Sequence, residues 1–139
     1  MITKEFTVLL EDCPGALGKL CRLLADREVN ILALQSFPVR EKFVTRFIVD
    51  NAEKAKTVLN SEQLTFTETK IVQTRIQHRP GEIARLASRL GKANINIHYA
   101  YCGLESGTNA PLVFFGVTEV DEADTVLREA AVAAAEGIV

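Results

Sequence analysis

The spacing of apolar residues in the first half of the chain predicts strands and helices in turn. Lys4–Glu11 is a strand-like run that ends in a turn sequence, Asp12-Cys13-Pro14-Gly15. After this turn, apolar residues recur at the i, i+3, i+4 and i+7 positions of one helical face, as Leu17, Leu20, Cys21 and Leu24. A helix is therefore predicted directly after the turn.

The rest of the first half completes a βαββαβ order. Segments 30–37 and 43–49 are rich in β-branched and apolar residues and predict a hairpin with a short connection at 38–42. A second helix follows, capped by Asp50 or Asn51, with Ala55, Val58 and Leu59 on one face. Segment 64–69 predicts the last strand.

The chain repeats itself at an offset of 66 residues, the distance from Pro14 to Pro80. Pro14-Gly15 falls on Pro80-Gly81, and Asn30-Ile31 falls on Asn96-Ile97. Farther on the offset is 68, so the second copy carries about two extra residues, expected within Gly103–Asn109. We therefore expect two repeats, residues 1–69 and 70–139.

The second copy predicts the same elements in the same order. Strands are expected at 70–77, 95–102 and 111–117. The first helix lies between the first two strands, with inward residues Ile83, Leu86, Ala87 and Leu90, and the second helix runs from about 121 to 135. Only Gly137–Val139 remain for a last strand, which is a stub at most. Phe47-Ile48-Val49 and Val113-Phe114-Phe115 are apolar on both strand faces, so cover is expected on both faces.

Composition narrows the class of protein. The chain has 139 residues, a net charge of −2, 47% apolar and 24% charged residues, which is typical of a globular protein and excludes a disordered or strongly basic one. It lacks an apolar run long enough to span a membrane and a leader-like N-terminus. Cys13, Cys21 and Cys102 match no metal-ligand spacing. We expect a cytoplasmic protein.

The sequence resembles the ACT domain in both copies. The residues that carry the resemblance are Asp12-Cys13-Pro14-Gly15-Ala16-Leu17 and Val29-Asn30-Ile31, repeated as Pro80-Gly81-Glu82-Ile83 and Ile95-Asn96-Ile97. The resemblance implies a tandem ACT protein of the α+β class, with two ferredoxin-like units packed side by side and antiparallel sheets. It also implies a non-catalytic regulatory protein that binds a small amino acid between the repeats, forms a homodimer and acts on a separate metabolic enzyme or transporter.

Carried over from the family, two pseudo-symmetric sites are expected. One combines Asp12, Cys13, Pro14, Gly15, Ala16 and Leu17 with Asn96 and Ile97, and the other combines His78, Arg79, Pro80, Gly81, Glu82 and Ile83 with Asn30 and Ile31. Amides at the start of the first helix would hold a ligand carboxylate, and Gly15 would take a positive φ. Asp12 or the asparagine side chain would bind an ammonium group, whereas His78 at the position of Asp12 favours an anion or an empty site.

Other interpretations stay open. The Pro-Gly turns are also ordinary helix starts, and Asn30 and Asn96 are suited to ending the preceding helix in the left-handed conformation. RNA binding would need an exposed aromatic platform, for which Phe6, Phe43 and Phe47 are the candidates. An interaction module without a ligand is a third possibility. No catalytic motif, cofactor or metal site is expected, and His98 stands alone. Tyr99 and Tyr101 are expected to pack or to line an interface.

Overall fold

A computed structural model of the chain describes residues 1–137. The strands are β1 (Ile2–Glu11), β2 (Ile31–Val39), β3 (Lys42–Val49), β4 (Thr65–Arg75), β5 (Ile97–Leu104) and β6 (Pro111–Val117). The helices are α1 (Ala16–Asp26), α2 (Ala52–Ser61), α3 (Glu82–Lys92) and α4 (Val120–Ala135). Ile138 and Val139, which would form most of the terminal stub at 137–139, lie outside the described residues. None of the described helices is long and apolar enough to cross a membrane.

The first unit, Lys4–Thr69, is an antiparallel sheet with two helices in the βαββαβ order. Its strands lie in the order β4, β1, β3, β2. Phe47 on β3 pairs with Phe6 on β1 and with Leu34 on β2. The hairpin is tighter than predicted, because Pro38 lies inside β2 opposite Phe43 and only two residues connect the strands.

The second unit consists of Met1–Thr3 together with the described chain from Lys70 onward. Its strands β5, β6 and the second half of β4 lie side by side in that order. Met1 pairs with Gln73 on the free side of β4 through two hydrogen bonds of 2.7 Å. The N-terminal residues therefore occupy the place of the fourth strand of the second unit, for which the sequence analysis left only residues 137–139. The two strands predicted at 64–69 and 70–77 form one continuous strand, β4.

Each unit has its own apolar core between sheet and helices. The first contains Phe6, Val8, Leu20, Leu24, Val29, Phe47, Ala55, Val58 and Leu59. The second contains Val72, Leu86, Leu90, Ile95, Val113, Phe115, Val117, Ala123, Leu127 and Ala130. Ile48 and Phe114, which point to the opposite faces of their strands, are also buried. The expectation that both faces of these strands are covered is confirmed.

The repeat seen in the sequence is also present in the backbone. Gly15 and Gly81, both at φ 89°, precede the first helix of their units. Each unit then ends that helix with the same pair of hydrogen bonds, Val29 N–H to Leu24 O and Glu28 N–H to Ala25 O in the first unit. The left-handed residues there are Glu28 and Asn94, so assigning that role to Asn30 and Asn96 was wrong.

The orientation of α3 differs from the prediction at one position. Leu86 and Leu90 are buried as expected, but Ile83 is 43% exposed and Glu82 is only 5% exposed. The prediction that Ile83 points inward was therefore wrong. A buried carboxylate is tolerated at Glu82 because two arginines contact it, as described below.

Candidate ligand-binding site

The loop between β1 and α1 carries most of the residues predicted for the first site. Asp12 to Gly15 are exposed, and Ala16 and Leu17 are half-buried in the first turn of α1. Gly15 has the expected positive φ of 89°. A Cβ built on Gly15 would meet no atom within 4 Å, so glycine is required here by the backbone conformation and not by lack of space.

A cavity of about 430 Å³ lies beside this loop, entirely within the first unit. Its apolar lining comes from leucines on the end of β1, on α1 and after α2: Leu9, Leu10, Leu20, Leu23 and Leu64. Cys13 and Ala16 belong to the lining too, as do the polar residues Glu11, Lys19, Lys42, Glu62, Gln63 and Thr65. The cavity thus combines an apolar surface with groups of both charges.

The charged groups of this first cavity differ in how they are neutralised. Lys42 forms an exposed ion pair with Glu11 at 3.0 Å. Lys19, one turn into α1, forms no ion pair with any residue of the described chain. No side chain caps α1, so amides of its first turn have no side-chain acceptor. The α1 side of the cavity is therefore positive and open to an anionic group.

The second unit has a cavity at the equivalent place. It measures about 320 Å³ and is lined by the end of β4, by α3 and by the last turns of α4. Glu82 and Arg85 line it at the positions that Ala16 and Lys19 hold in the first cavity. The two cavities thus share their framework and differ in the residues that carry charge.

An internal ion pair fills the α3 side of this second cavity. The carboxylate of Glu82 accepts a hydrogen bond of 2.6 Å from Nη2 of Arg85, and its other oxygen lies 3.5 Å from Nε of Arg79. The hydrogen bond from Arg85 outweighs burial and holds the pKa of Glu82 below its usual value. Arg85 also donates to the carbonyl of Ala130 at 3.3 Å, which fixes the guanidinium against α4.

Of the predicted site residues, only Cys13 and Ala16 line the first cavity and only Glu82 lines the second. His78 to Gly81 form the exposed loop before α3, and Ile83 lies on the outer side of that helix. Asn30 and Asn96 are exposed just before β2 and β5, where Ile31 and Ile97 are half-buried. The Asn30 backbone N–H donates to the side chain of Asp50 at 2.9 Å. The pairing of each loop with an Asn-Ile segment of the other unit stays a prediction.

Sequence reasoning missed the charged residues one turn into each helix. Lys19 and Arg85 are separated by the repeat offset of 66, so a basic residue recurs there in both copies. That recurrence was a usable signal. The contribution of residues 62–65 to the first cavity could not be found this way, because it depends on how α2 ends against α1.

One of the alternative interpretations, RNA binding, meets a contrary observation. Phe6 and Phe47 are fully buried and stack on each other at 5.6 Å, so they form no exposed platform for RNA bases. His98 lies 2.7 Å from the Thr118 hydroxyl. In the part of the chain that the structure describes, no group of His, Cys, Asp or Glu could hold a metal ion.

Tyr99 packs on Gly116 and Tyr101 stacks on Phe114, as expected for packing residues.

The three cysteines are unpaired thiols. Cys13 and Cys102 are exposed, and Cys21 is half-buried in α1. Burial raises the pKa of Cys21, which keeps it protonated as expected for a packing residue. Cys13 lies at the edge of the first cavity, close to the start of α1.

Known proteins share features of this chain at the level of a sequence family and of the fold. Residues 5–61 match the ACT domain family model, and they cover most of the first unit. No curated protein matches the sequence. Among solved structures, protein BT0572 from Bacteroides thetaiotaomicron is similar with a TM-score of 0.82 and 24% identity over 94% of this chain and 90% of that one.

Two further solved structures have the same fold. The regulatory subunit of aspartate kinase from Thermus thermophilus aligns with a TM-score of 0.63 and 14% identity, over 93% of this chain and 94% of that one. The corresponding subunit from Thermus flavus aligns with a TM-score of 0.56 and 14% identity, over 93% and 92%. At these identities the likeness concerns the fold alone.

Proposed function

We propose that the chain is a non-catalytic regulatory protein that binds a small amino acid in the first cavity. The observation that carries this proposal is the cavity itself, about 430 Å³ beside the loop before α1. Nine of its thirteen lining residues lie in the segment that matches the ACT domain. Its volume lies in the range of roughly 300–1,000 Å³ common for small-molecule sites, and such sites usually combine an apolar lining with a few polar groups.

Each part of a free amino acid has a complementary group in this cavity. The carboxylate would meet the Lys19 ammonium and the uncapped amides at the start of α1. The ammonium group would face Glu11 or Glu62, and an apolar side chain would lie against the leucines. Because both ends would be recognised, a free amino acid fits this lining better than a simple carboxylic acid does.

A regulatory role is supported by the fold. The same fold serves as the regulatory subunit of aspartate kinase in Thermus thermophilus. In this chain a ligand in the first cavity would contact β1, α1 and the segment after α2 at once. It would shift the chain toward whichever arrangement of these elements it binds better, and a partner enzyme or transporter would sense that shift. We further propose that both units are ACT domains and that the chain forms a homodimer.

Thermal unfolding in the presence of each proteinogenic amino acid tests the proposal. A ligand that binds the native state stabilises it by RT ln(1 + [L]/Kd), so the melting temperature should rise with the concentration of one chemical group of amino acids. Lys19→Met should weaken that ligand about 30-fold, since a charged hydrogen bond contributes about 2 kcal/mol.

Lys54→Met is the matched control, because Lys54 is also exposed but lies on α2, outside the cavity lining. The affinity of Lys54→Met for the amino acid should equal that of the unmodified protein. If no amino acid raises the melting temperature at millimolar concentration, the amino-acid proposal fails. The interaction module without a ligand then becomes the better hypothesis, and the next experiment is to isolate the partner.

A further inference from the structure

The two cavities have the same framework but differ in charge at their helix side. In the first, Ala16 leaves space in the first turn of α1, and Lys19 carries a positive charge that no described residue neutralises. In the second, the corresponding residues are Glu82 and Arg85, whose charges neutralise each other at 2.6 Å. The difference lies in three side chains, because Cys13 of the first copy also corresponds to Arg79, whereas Gly15 and Gly81 hold the same backbone conformation.

The carboxylate of Glu82 is placed as a bound carboxylate would be. It lies in the first turn of α3, where the helix dipole favours a negative charge, and only 5% of the residue is exposed. Arg85 contacts it directly and Arg79 approaches it from the preceding loop. Desolvation alone would oppose a charged form, but these contacts keep the group ionised.

We infer that the second cavity is a carboxylate-binding site closed by the chain's own Glu82, so that an external ligand enters only the first cavity. The part of this inference that concerns the first cavity rests on the proposed function. The part that concerns Glu82 does not, because it follows from the ion pair and the cavity in the second unit. One amino acid per chain, and not two, is the expected stoichiometry.

Acetate is a probe for the second cavity that involves no amino acid. Glu82→Ala removes the internal carboxylate and leaves Arg85 held by the Ala130 carbonyl, facing an enlarged cavity. Alanine is the residue of the first copy at this position, so the variant is expected to fold. Sodium acetate should then raise the melting temperature of Glu82→Ala above the value measured in sodium chloride at equal ionic strength. At acetate concentrations above Kd, this increase should grow with the logarithm of the concentration.

Two proteins serve as controls for this experiment. The unmodified chain should show a smaller acetate-specific shift than Glu82→Ala, because Glu82 already occupies the second cavity and acetate can reach only the first. Glu129→Ala removes an exposed acid from α4, outside the cavity lining, and should show the same small shift as the unmodified chain. An equal acetate effect in all three proteins, or none in Glu82→Ala, would overturn the inference.

A second variant keeps the inference testable if Glu82→Ala does not fold. The double variant Glu82→Ala, Arg85→Lys gives the second cavity the residues of the first at these two positions, and it should show the same acetate-specific stabilisation. Absence of that effect in the folded double variant would also contradict the inference. Since the amino-acid screen uses the unmodified chain and the acetate experiment uses Glu82 variants, either proposal can fail while the other holds.

Discussion

Replacing Gly116 by alanine should destabilise the second unit through one aromatic ring. Gly116 lies in β6 opposite Tyr99 on β5, and a Cβ at this position would lie 2.3 to 2.6 Å from three atoms of the Tyr99 ring. The backbone at Gly116 is outside the left-handed region, so alanine adds no backbone strain. The whole effect is therefore steric.

The size of the effect follows from how far the ring must move. Carbon atoms in contact are normally about 3.5–4.0 Å apart, so the ring has to retreat by more than about 1 Å. Tyr99 stacks on Tyr101 at 6.4 Å, and Tyr101 stacks on the buried Phe114 at 5.5 Å, so the displacement disturbs a packed series of rings. Such overpacking costs about 1–3 kcal/mol.

Urea unfolding followed by circular dichroism measures this change in the free energy of unfolding. Gly116→Ala should lower the midpoint by roughly 0.5–1.5 M at an m-value near 2 kcal/mol/M. Gly18→Ala is the matched control: Gly18 lies in α1 with nothing near its Cβ position, so the same substitution should stabilise by roughly 0.5–1 kcal/mol.

A double-mutant cycle with Tyr99→Ala separates the ring from other causes. If the clash is responsible, Gly116→Ala should cost almost nothing once the ring is absent, giving a coupling energy of about 1–3 kcal/mol. An equal cost in both backgrounds would refute the steric reasoning, and so would a Gly116→Ala protein as stable as the unmodified one.

Three further predictions concern caps and charges. Asn51→Ala should cost about 1 kcal/mol in urea unfolding, because the Asn51 side chain accepts the Lys54 N–H at 3.1 Å; an unchanged midpoint would exclude a capping role. Glu28→Gly should raise the free energy of unfolding by up to about 1 kcal/mol, because Glu28 has a left-handed φ of 58° at the end of α1 and glycine adopts this conformation without strain. A lower free energy of unfolding would contradict this. Hydrogen bonds, from Arg75 above all, lower the pKa of Glu105 to about 2. The pKa of an unfolded glutamate is near 4.3, so the free energy of unfolding should fall as the pH drops from about 4.3 toward 2. Glu105→Gln should reduce this fall, which urea unfolding at a series of pH values measures.

The repeated framework could be predicted from sequence because its signals are local. The Pro-Gly turns, the helical spacing of leucines and the Asn51 cap each act over a few residues. Segment 64–77 was harder, since nothing local shows that two predicted strands continue as one. The pairing of Met1 with Gln73 joins residues 72 positions apart and has no signal in the spacing of either segment.

The charged part of the candidate site was predictable only in part. Helical spacing placed Ile83 inside, and the family resemblance placed Glu82 among the ligand-binding residues. Apolar spacing defines a helical face to within about one residue, and it gives no weight to an acid that two arginines can neutralise. The contacts from Arg85 and Arg79 decide the outcome, and they depend on side-chain geometry that the pattern of apolar residues does not contain.

The comparison of the two copies separates residues that build the fold from residues that choose a ligand. Gly15 and Gly81 repeat because both helices start from a backbone at φ 89°, which other residues adopt only with strain. Leu20 and Leu86 repeat because each fills the core of its unit. The positions of Ala16 and Lys19, and of Glu82 and Arg85, are under neither constraint, so a change there alters the charge of the site and leaves the fold intact. Differences between copies at such positions are therefore the places to look for a difference in binding.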